Sequence, residues 1–290
     1  MNAIRYINRQ TGRVETEEVF GEKAIRFLYG KSALAYFLLH SLAKWPPVSA
    51  FYGFLQNRKK SKAQVQPFID RFGINTAEFL DEPATFGSFN QFFVRKLKSD
   101  ARPLSSNAII PADGRYKFYQ EINKDLSFEV KKKGFCLKTI LQSEKLADRY
   151  DGGSLVMARL CPTDCHRFYF PFDCVPSKAK LINGKLFSVN PIAIRDNPWI
   201  WGVNRRMMTT LHSEEYGDVL YLEVGATNVG SIIQTYMQDV AVKKGDEKGF
   251  FEFGGSALLI FFEKGRITFD ADLLGHDLEV RCLIGQSLGK

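Results

Sequence analysis

Cysteine is scarce and odd in number, five in 290 residues. That gives no disulfide framework and points to a reducing compartment. Histidine is scarcer still, with four. Cys161, Cys165, His166 and Cys174 match no common zinc spacing, so no metal site is expected. Acidic residues are missing altogether between Lys23 and Lys62, so the eight bases of that stretch cannot be neutralised from within it. The uncharged run Ser32 to Ala43 has 12 residues, against the roughly 20 that a spanning helix needs. Met1 to Glu22 is polar and mixed in charge. It does not read as a cleavable signal peptide, and a cytoplasmic-facing location is expected. No heptad, solenoid period or low-complexity tract is found, which leaves an ordinary folded chain.

What is present is apolar and basic: 45% hydrophobic residues, 25 Phe and a formal charge of +8. The length suffices for a full core, as one large domain or one domain with an appendage. The charge calls for an anionic partner, nucleic acid or an acidic membrane surface. The bases of residues 23–62 lie among Phe27, Phe37, Trp45, Phe51 and Phe54 rather than along a recognition motif, so nucleic acid is not expected. Residues 1–62 therefore read as a polar lead-in and a basic amphipathic arm split by Pro46-Pro47. The arm would lie in the interface of an anionic membrane, its aromatics sunk and its bases against headgroups. A core helix with a solvated basic rim is the structural alternative.

Residues 63–106 read as a helical connecting segment. Phe89, Phe92, Phe93 and Leu97 recur at helical spacing with Arg95, Lys96 and Lys98 opposite. The expected reading is a packed, structural amphipathic helix, with Arg95 a candidate contact for anionic lipid. From Asn107 onward, strand-like runs such as 116–119, 155–160, 167–170, 219–224 and 231–233 alternate with Gly, Pro and Asn. One helical piece near 137–147 interrupts them. The expected fold class is α+β, a helical N-terminal membrane-associating arm followed by a mainly antiparallel β core over 107–290.

Three segments carry candidate chemistry. In Gly249-Phe250-Phe251-Glu252-Phe253-Gly254-Gly255-Ser256-Ala257-Leu258-Leu259-Ile260-Phe261-Phe262, apolar strands flank a Gly-Gly-Ser centre. A turn between strands is the plain reading. Glycine also lets the backbone press a hydroxyl against the preceding carbonyl, the geometry of an N-to-O acyl shift by Ser256 on its bond to Gly255. Pro111-Ala112-Asp113-Gly114 is ordinarily a self-capping turn. Asp164-Cys165-His166-Arg167 places a histidine at a strand entry, as an acid–base group or a hydrogen-bonded structural residue.

Taken together and in this order, the three segments resemble those of phosphatidylserine decarboxylases, and the likeness extends from about Val19 to the C-terminus. The resemblance implies a proenzyme cut between Gly255 and Ser256, with chains 1–255 and 256–290 staying associated. Ser256 would become a covalent pyruvoyl (pyruvate) cofactor, with Asp113, His166 and Ser256 as the catalytic set. Asp113 would orient His166, and His166 would take the Ser256 proton. The pyruvoyl carbonyl would take up the amine of phosphatidylserine and act as electron sink for loss of CO₂, giving phosphatidylethanolamine. An anionic membrane surface as partner, a peripheral position on its cytoplasmic face and a homodimer complete the expectation.

Ala257 stands where the family usually has Thr, Cys165 where it has Tyr, Tyr169 where a second His is common, and Arg205 where Glu is usual. The alternatives are a membrane-associated serine hydrolase using Ser256 and an unprocessed lipid-binding homologue. The first lacks a Gly-x-Ser-x-Gly elbow, since Leu258 stands two residues after Ser256.

Overall fold

The run Ser256 to Phe262 is apolar at odd and even positions alike beyond its first residue. A strand turns successive side chains to opposite faces, so such a run is stable only where both faces are covered. The computed structural model describes residues 3–30, 32–39, 46–125, 136–226 and 231–290. In it the strand Ser256–Phe262 is buried throughout, near the middle of a ten-stranded sheet. Leu258, Ile260 and Phe262 enter one hydrophobic core with Tyr116, Val156 and Phe168. Ala257, Leu259 and Phe261 enter another with Leu155, Met157 and Leu222.

From one edge that sheet runs Val14–Thr16, Arg5–Asn8, Glu279–Cys282, Gly114–Tyr119, Ser154–Leu160, Ser256–Phe262, Gly217–Gly225, Arg206–Ser213 and Val175–Pro176, with Lys180–Ile182 also on Arg206–Ser213. Among the described pairs only Arg5–Asn8 with Glu279–Cys282 is parallel. A three-stranded antiparallel sheet, Ile232–Gln234, Glu247–Phe251 and Arg167–Tyr169, lies beside it. The two sheets are joined by a buried polar node. Lys248 Nζ donates to Glu223 Oε1 at 2.5 Å, Gln234 Oε1 at 2.7 Å and Thr209 Oγ1 at 3.0 Å. With Lys248 and Glu223 both fully buried, removing either partner alone would strand a charge in the core.

The mixed α+β architecture is as the sequence implies, but its parts are bounded differently. The lead-in, grouped above with the arm, supplies Arg5–Asn8 and Val14–Thr16 to the main sheet. Glu17 in the same segment reaches buried Arg159 at 2.5 Å. The connecting segment is helical only in part, at Val65–Phe72 and Phe89–Phe93 with short 3₁₀ turns between. Gly73, in the left-handed conformation at φ 58°, ends the first helix, and Ser88 Oγ caps the second by accepting from Gln91 N. Around these helices Phe68, Phe79, Phe86, Phe89, Phe92 and Phe93 form a third core, which also takes in Phe253.

The arm contains helices Glu22–Leu28, Ala33–Leu38 and Pro46–Asn57. The proline pair begins the last of them, since the first turn needs no backbone donor. Residues 40–45 fall outside the described residues. No described helix is long and apolar enough to cross a membrane.

Candidate active site

Glu247–Phe251 and Ser256–Phe262 belong to different sheets, so residues 252–255 are a corner between sheets and not a hairpin tip. Gly254 turns that corner at φ 146°, a conformation closed to residues with a side chain. Phe253 anchors it. Its ring packs against Phe89 and Phe93, and its N–H donates to the buried Asn90 Oδ1 at 2.8 Å. Beyond the corner, Ser256 pairs with Gly225 on one side and Leu160 on the other. Among the described residues its Oγ is buried without a hydrogen-bond partner, which for a purely structural hydroxyl is a loss of about 1–3 kcal/mol. The carbonyl of Gly255, on the peptide bond that joins it to Ser256, accepts from Ala226 N at 3.1 Å.

His166 is fully buried just ahead of Arg167–Tyr169. Its carbonyl accepts from Phe251 N at 2.9 Å, so it is tied to the strand that leads into the corner. Nδ1 lies 3.2 Å from the Asp164 carbonyl. A carbonyl can only accept, which assigns the proton to Nδ1 and a lone pair to Nε2. Nε2 is buried without a partner, as Ser256 Oγ is. Phe93 lies over the ring, with centroids 3.7 Å apart. Burial pulls the imidazole down to about 3, outweighing the opposing pull of Asp164, so the ring is a neutral base at physiological pH.

Asp113 is buried at the turn before Gly114–Tyr119, but no hydrogen bond joins it to His166 among the described residues. Both of its oxygens accept from the Arg102 fork, at 3.1 Å from Nε and 2.8 Å from Nη2, and Oδ1 also accepts from Ile284 N at 2.8 Å. A bidentate guanidinium pair of this kind outcompetes a single imidazole contact. The imidazole of His166 meets the Asp164 carbonyl and the Phe93 ring. The Asp164 carboxylate is itself engaged, by Arg115 at 3.1 Å and Cys161 N at 2.8 Å. No hydrogen bond joins Ser256 Oγ to His166 either.

The positions that depart from the family pattern are structural in their contacts. Ala257 is fully buried in the apolar core of Leu259 and Phe261. Cys165 is buried with its thiol toward the Arg95 carbonyl at 3.5 Å, and burial pushes that thiol up. Tyr169 is half-buried, and burial raises its hydroxyl. Arg205 takes part through its backbone, receiving Gly225 N at 2.9 Å and donating to Lys185 O at 2.8 Å.

A cavity of about 990 Å³ leads to this corner. Its lining includes Ala24, Ile25, Leu28 and Leu39 of the arm together with Arg95, Arg102, Asp113 and Phe253 to Gly255. Four residues of the site have no forecast role in the sequence: Ala226, Asn90, Phe93 and Arg102. Arg102 and Phe93 sit in a segment that reads as an ordinary amphipathic helix and its tail. Ala226 directly follows the strand Gly217–Gly225, and nothing local in the sequence marks its N–H. Only the sheet order brings its N–H to Gly255.

The family model described as phosphatidylserine decarboxylase matches residues 89–290. Three curated proteins named phosphatidylserine decarboxylase proenzyme are similar over nearly the full length. That of Chlamydia felis is 46% identical, covering 100% of this chain and 99% of its own. That of Chlamydia pneumoniae is 45% identical, covering 100% and 98%. That of Chlamydia muridarum is 43% identical, covering 98% and 96%.

Proposed function

This chain belongs to the phosphatidylserine decarboxylase family, and we propose that it converts phosphatidylserine to phosphatidylethanolamine after cutting itself between Gly255 and Ser256. The observation that carries the reading is the state of that peptide bond. Its carbonyl holds a backbone donor from Ala226, and the hydroxyl beside it is buried and unpartnered. A neutral histidine with a buried, unpartnered Nε2 precedes the strand paired with the lead-in to the same corner.

In the proposed cleavage His166 Nε2 takes the proton from Ser256 Oγ, directly or through a water. The oxygen attacks the Gly255 carbonyl carbon, and the Ala226 N–H holds the developing oxyanion, a contribution on the order of 10²–10³ in rate for one such donor. The C–N bond breaks, the serine nitrogen becomes an amine, and Gly255 is left esterified to Ser256. Removal of the Ser256 α-proton then expels the Gly255 carboxylate as leaving group. Hydrolysis of the resulting dehydroalanine releases ammonia and leaves the pyruvoyl at the head of 256–290. The site suits such a group, because Gly254 spares the corner a side chain and Phe253 and Phe93 exclude water from it. When formed, the pyruvoyl supplies an electron sink for the pair left as CO₂ departs. His166, held by Asp164 O and Phe93, is the group placed to return a proton to the carbon. Asp113, held by Arg102 and Ile284 N, lines the same cavity as the corner.

The cut chain holds together in this reading, since Ser256–Phe262 pairs with strands of 1–255 on both sides. The arm would bring the site to the lipid. Phe27, Leu34, Phe37, Phe51 and Phe54 are exposed on its helices, near exposed Lys23, Arg58, Lys59 and Lys60. This combination supports peripheral attachment to an anionic surface on the cytoplasmic face of a membrane. Intact mass under denaturing conditions tests the core of the proposal. Two fragments split at 255/256, the shorter with a keto-blocked N-terminus, are expected, and Ser256→Ala should give one uncut, inactive chain. A Ser256→Ala protein still split at that bond would overturn it.

A further inference from the structure

Six arginines line the cavity that ends at Gly254-Gly255: Arg71, Arg95, Arg102, Arg115, Arg159 and Arg281. Four are matched by carboxylates: Arg71 by Glu18, Arg102 by Asp113 and Glu78, Arg115 by Asp164, and Arg159 by Glu17 and Glu279. Among the described residues no carboxylate pairs with Arg95 or Arg281. Arg281 is only half-buried, though its Nε too is buried without a partner among the described residues, whereas Arg95 is 4% exposed. Asp113 and Asp164 act on Arg95 only from a distance, and a buried guanidinium with no direct carboxylate partner is expensive unless something else meets its charge.

Arg95 is also held rigidly. Its Cζ lies 4.8 Å from the ring centres of both Phe79 and Phe92, which are themselves 6.1 Å apart, so the guanidinium rests against two adjoining aromatic rings that restrict it. Nη2 donates to Thr163 O at 2.8 Å and Nη1 to Phe92 O at 3.3 Å. Nε is buried with no acceptor. The side chain is thus fixed on two carbonyls and still has donors to offer, beside the segment that carries His166.

We propose that Arg95 receives the phosphodiester of the lipid headgroup and so sets the distance between that phosphate and residue 256. The inference rests on the decarboxylase reading above. The headgroup of phosphatidylserine carries two anionic groups, and they make opposite demands. The carboxylate must lose its charge in the reaction, so a guanidinium on it would stabilise the ground state and raise the barrier. The phosphodiester keeps its charge from binding to product release, so a guanidinium there holds substrate and transition state alike. A buried arginine that pairs with no carboxylate among the described residues, lining a cavity that residues of the arm also line, fits the second task.

The test is steady-state kinetics on a soluble short-chain phosphatidylserine, with extent of self-cleavage as internal control, because cleavage needs no lipid. Arg95→Gln should cleave as the wild type does and raise KM about ten- to hundredfold, the scale of one charge-assisted contact, with kcat little changed. An O-acylserine, which offers the serine headgroup without phosphate, should show the same KM with both proteins. If Arg95→Gln is uncut, Arg95→Lys takes its place, and a cut Arg95→Lys with raised KM supports the assignment. Unchanged KM in the cut variant, the same penalty on the phosphate-free substrate, loss of cleavage in both variants, or a larger KM effect from Arg281→Gln would each overturn it. A wild type that leaves phosphatidylserine unconverted would instead sink the reading beneath it.

Discussion

The strand Ser256–Phe262 and the arm helices Glu22–Leu28, Ala33–Leu38 and Pro46–Asn57 draw on the same apolar residue types and meet opposite surroundings. Every side chain of the strand is buried, alternating between two cores. In the arm Phe27 is 47% exposed, Phe37 61%, Phe51 64% and Phe54 59%. Apolar content therefore does not decide burial in this chain; the availability of a partner surface does. The strand finds partners in Ser154–Leu160 and Gly217–Gly225. The arm's exposed rings find no such apolar cover within the described residues, and bases lie beside them, Arg58 over the Phe54 ring at 5.9 Å. Large exposed rings among bases are the pattern of a surface completed by lipid.

The sharpest way to break this comparison is at the strand's one polar residue. If Ser256 reacts through His166, then His166→Ala should abolish cleavage altogether, read as a single band on a denaturing gel. Cleavage of that variant at the wild-type rate would move the base elsewhere and leave Ser256 as an oddity of a structural strand. Next in size is a stability contrast. Leu259→Ala removes a fully buried side chain and should cost about 2–5 kcal/mol. Phe54→Ala in the arm should stay within about 0.5 kcal/mol. Denaturant titration of both variants reads the difference, and a comparable loss at Phe54 would mean that its ring is core.

Acid should expose the same contrast through His166. Its folded value is lowered to about 3, while the unfolded value is about 6.5. Between these values the unfolded chain binds the extra proton. The neutral ring's contribution is therefore complete above pH 6.5 and lost as pH falls toward 3. At pH 4 the loss from this residue is about 3 kcal/mol. Unfolding curves of wild type and His166→Gln should converge by that amount between pH 7 and pH 4. Parallel curves would mean that the histidine titrates normally and is wet.

The sequence makes the strands legible because period-2 alternation and apolar runs are local signals, and 116–119, 155–160 and 219–224 fall inside observed strands. The residues of the site are legible one by one, and their partners are not. Asp113 in its turn predicts nothing about Arg102, because that pairing depends on how the connecting segment folds back over the sheet. The Gly254-Gly255 centre reads as a hairpin because local spacing cannot tell a turn within one sheet from a corner between two. Ala226 reaches the Gly255 carbonyl only because Gly217–Gly225 and Ser256–Phe262 are neighbours in the sheet. The fold class lies in local periodicity, and the chemistry lies in sheet order.

The smallest expected effect tests the other half of the comparison. Arg58, Lys59 and Lys60 are exposed just past the helix Pro46–Asn57, and Lys62 is exposed with its Nζ on the Ala84 carbonyl. Where such bases approach an anionic bilayer each contributes on the order of 1 kcal/mol, and salt screens that attraction. The exposed rings add apolar burial that salt leaves intact. Changing these four bases to Gln keeps every ring in place, so binding to vesicles rich in anionic lipid should weaken at low salt without vanishing. Against neutral vesicles the variant and the wild type should sediment alike, since only the charge has changed. Because none of the four lines the cavity at Gly254-Gly255, self-cleavage should proceed as in the wild type. Unchanged binding to anionic vesicles at low salt would place the membrane contact elsewhere, and the exposed rings of the arm would then require a protein partner.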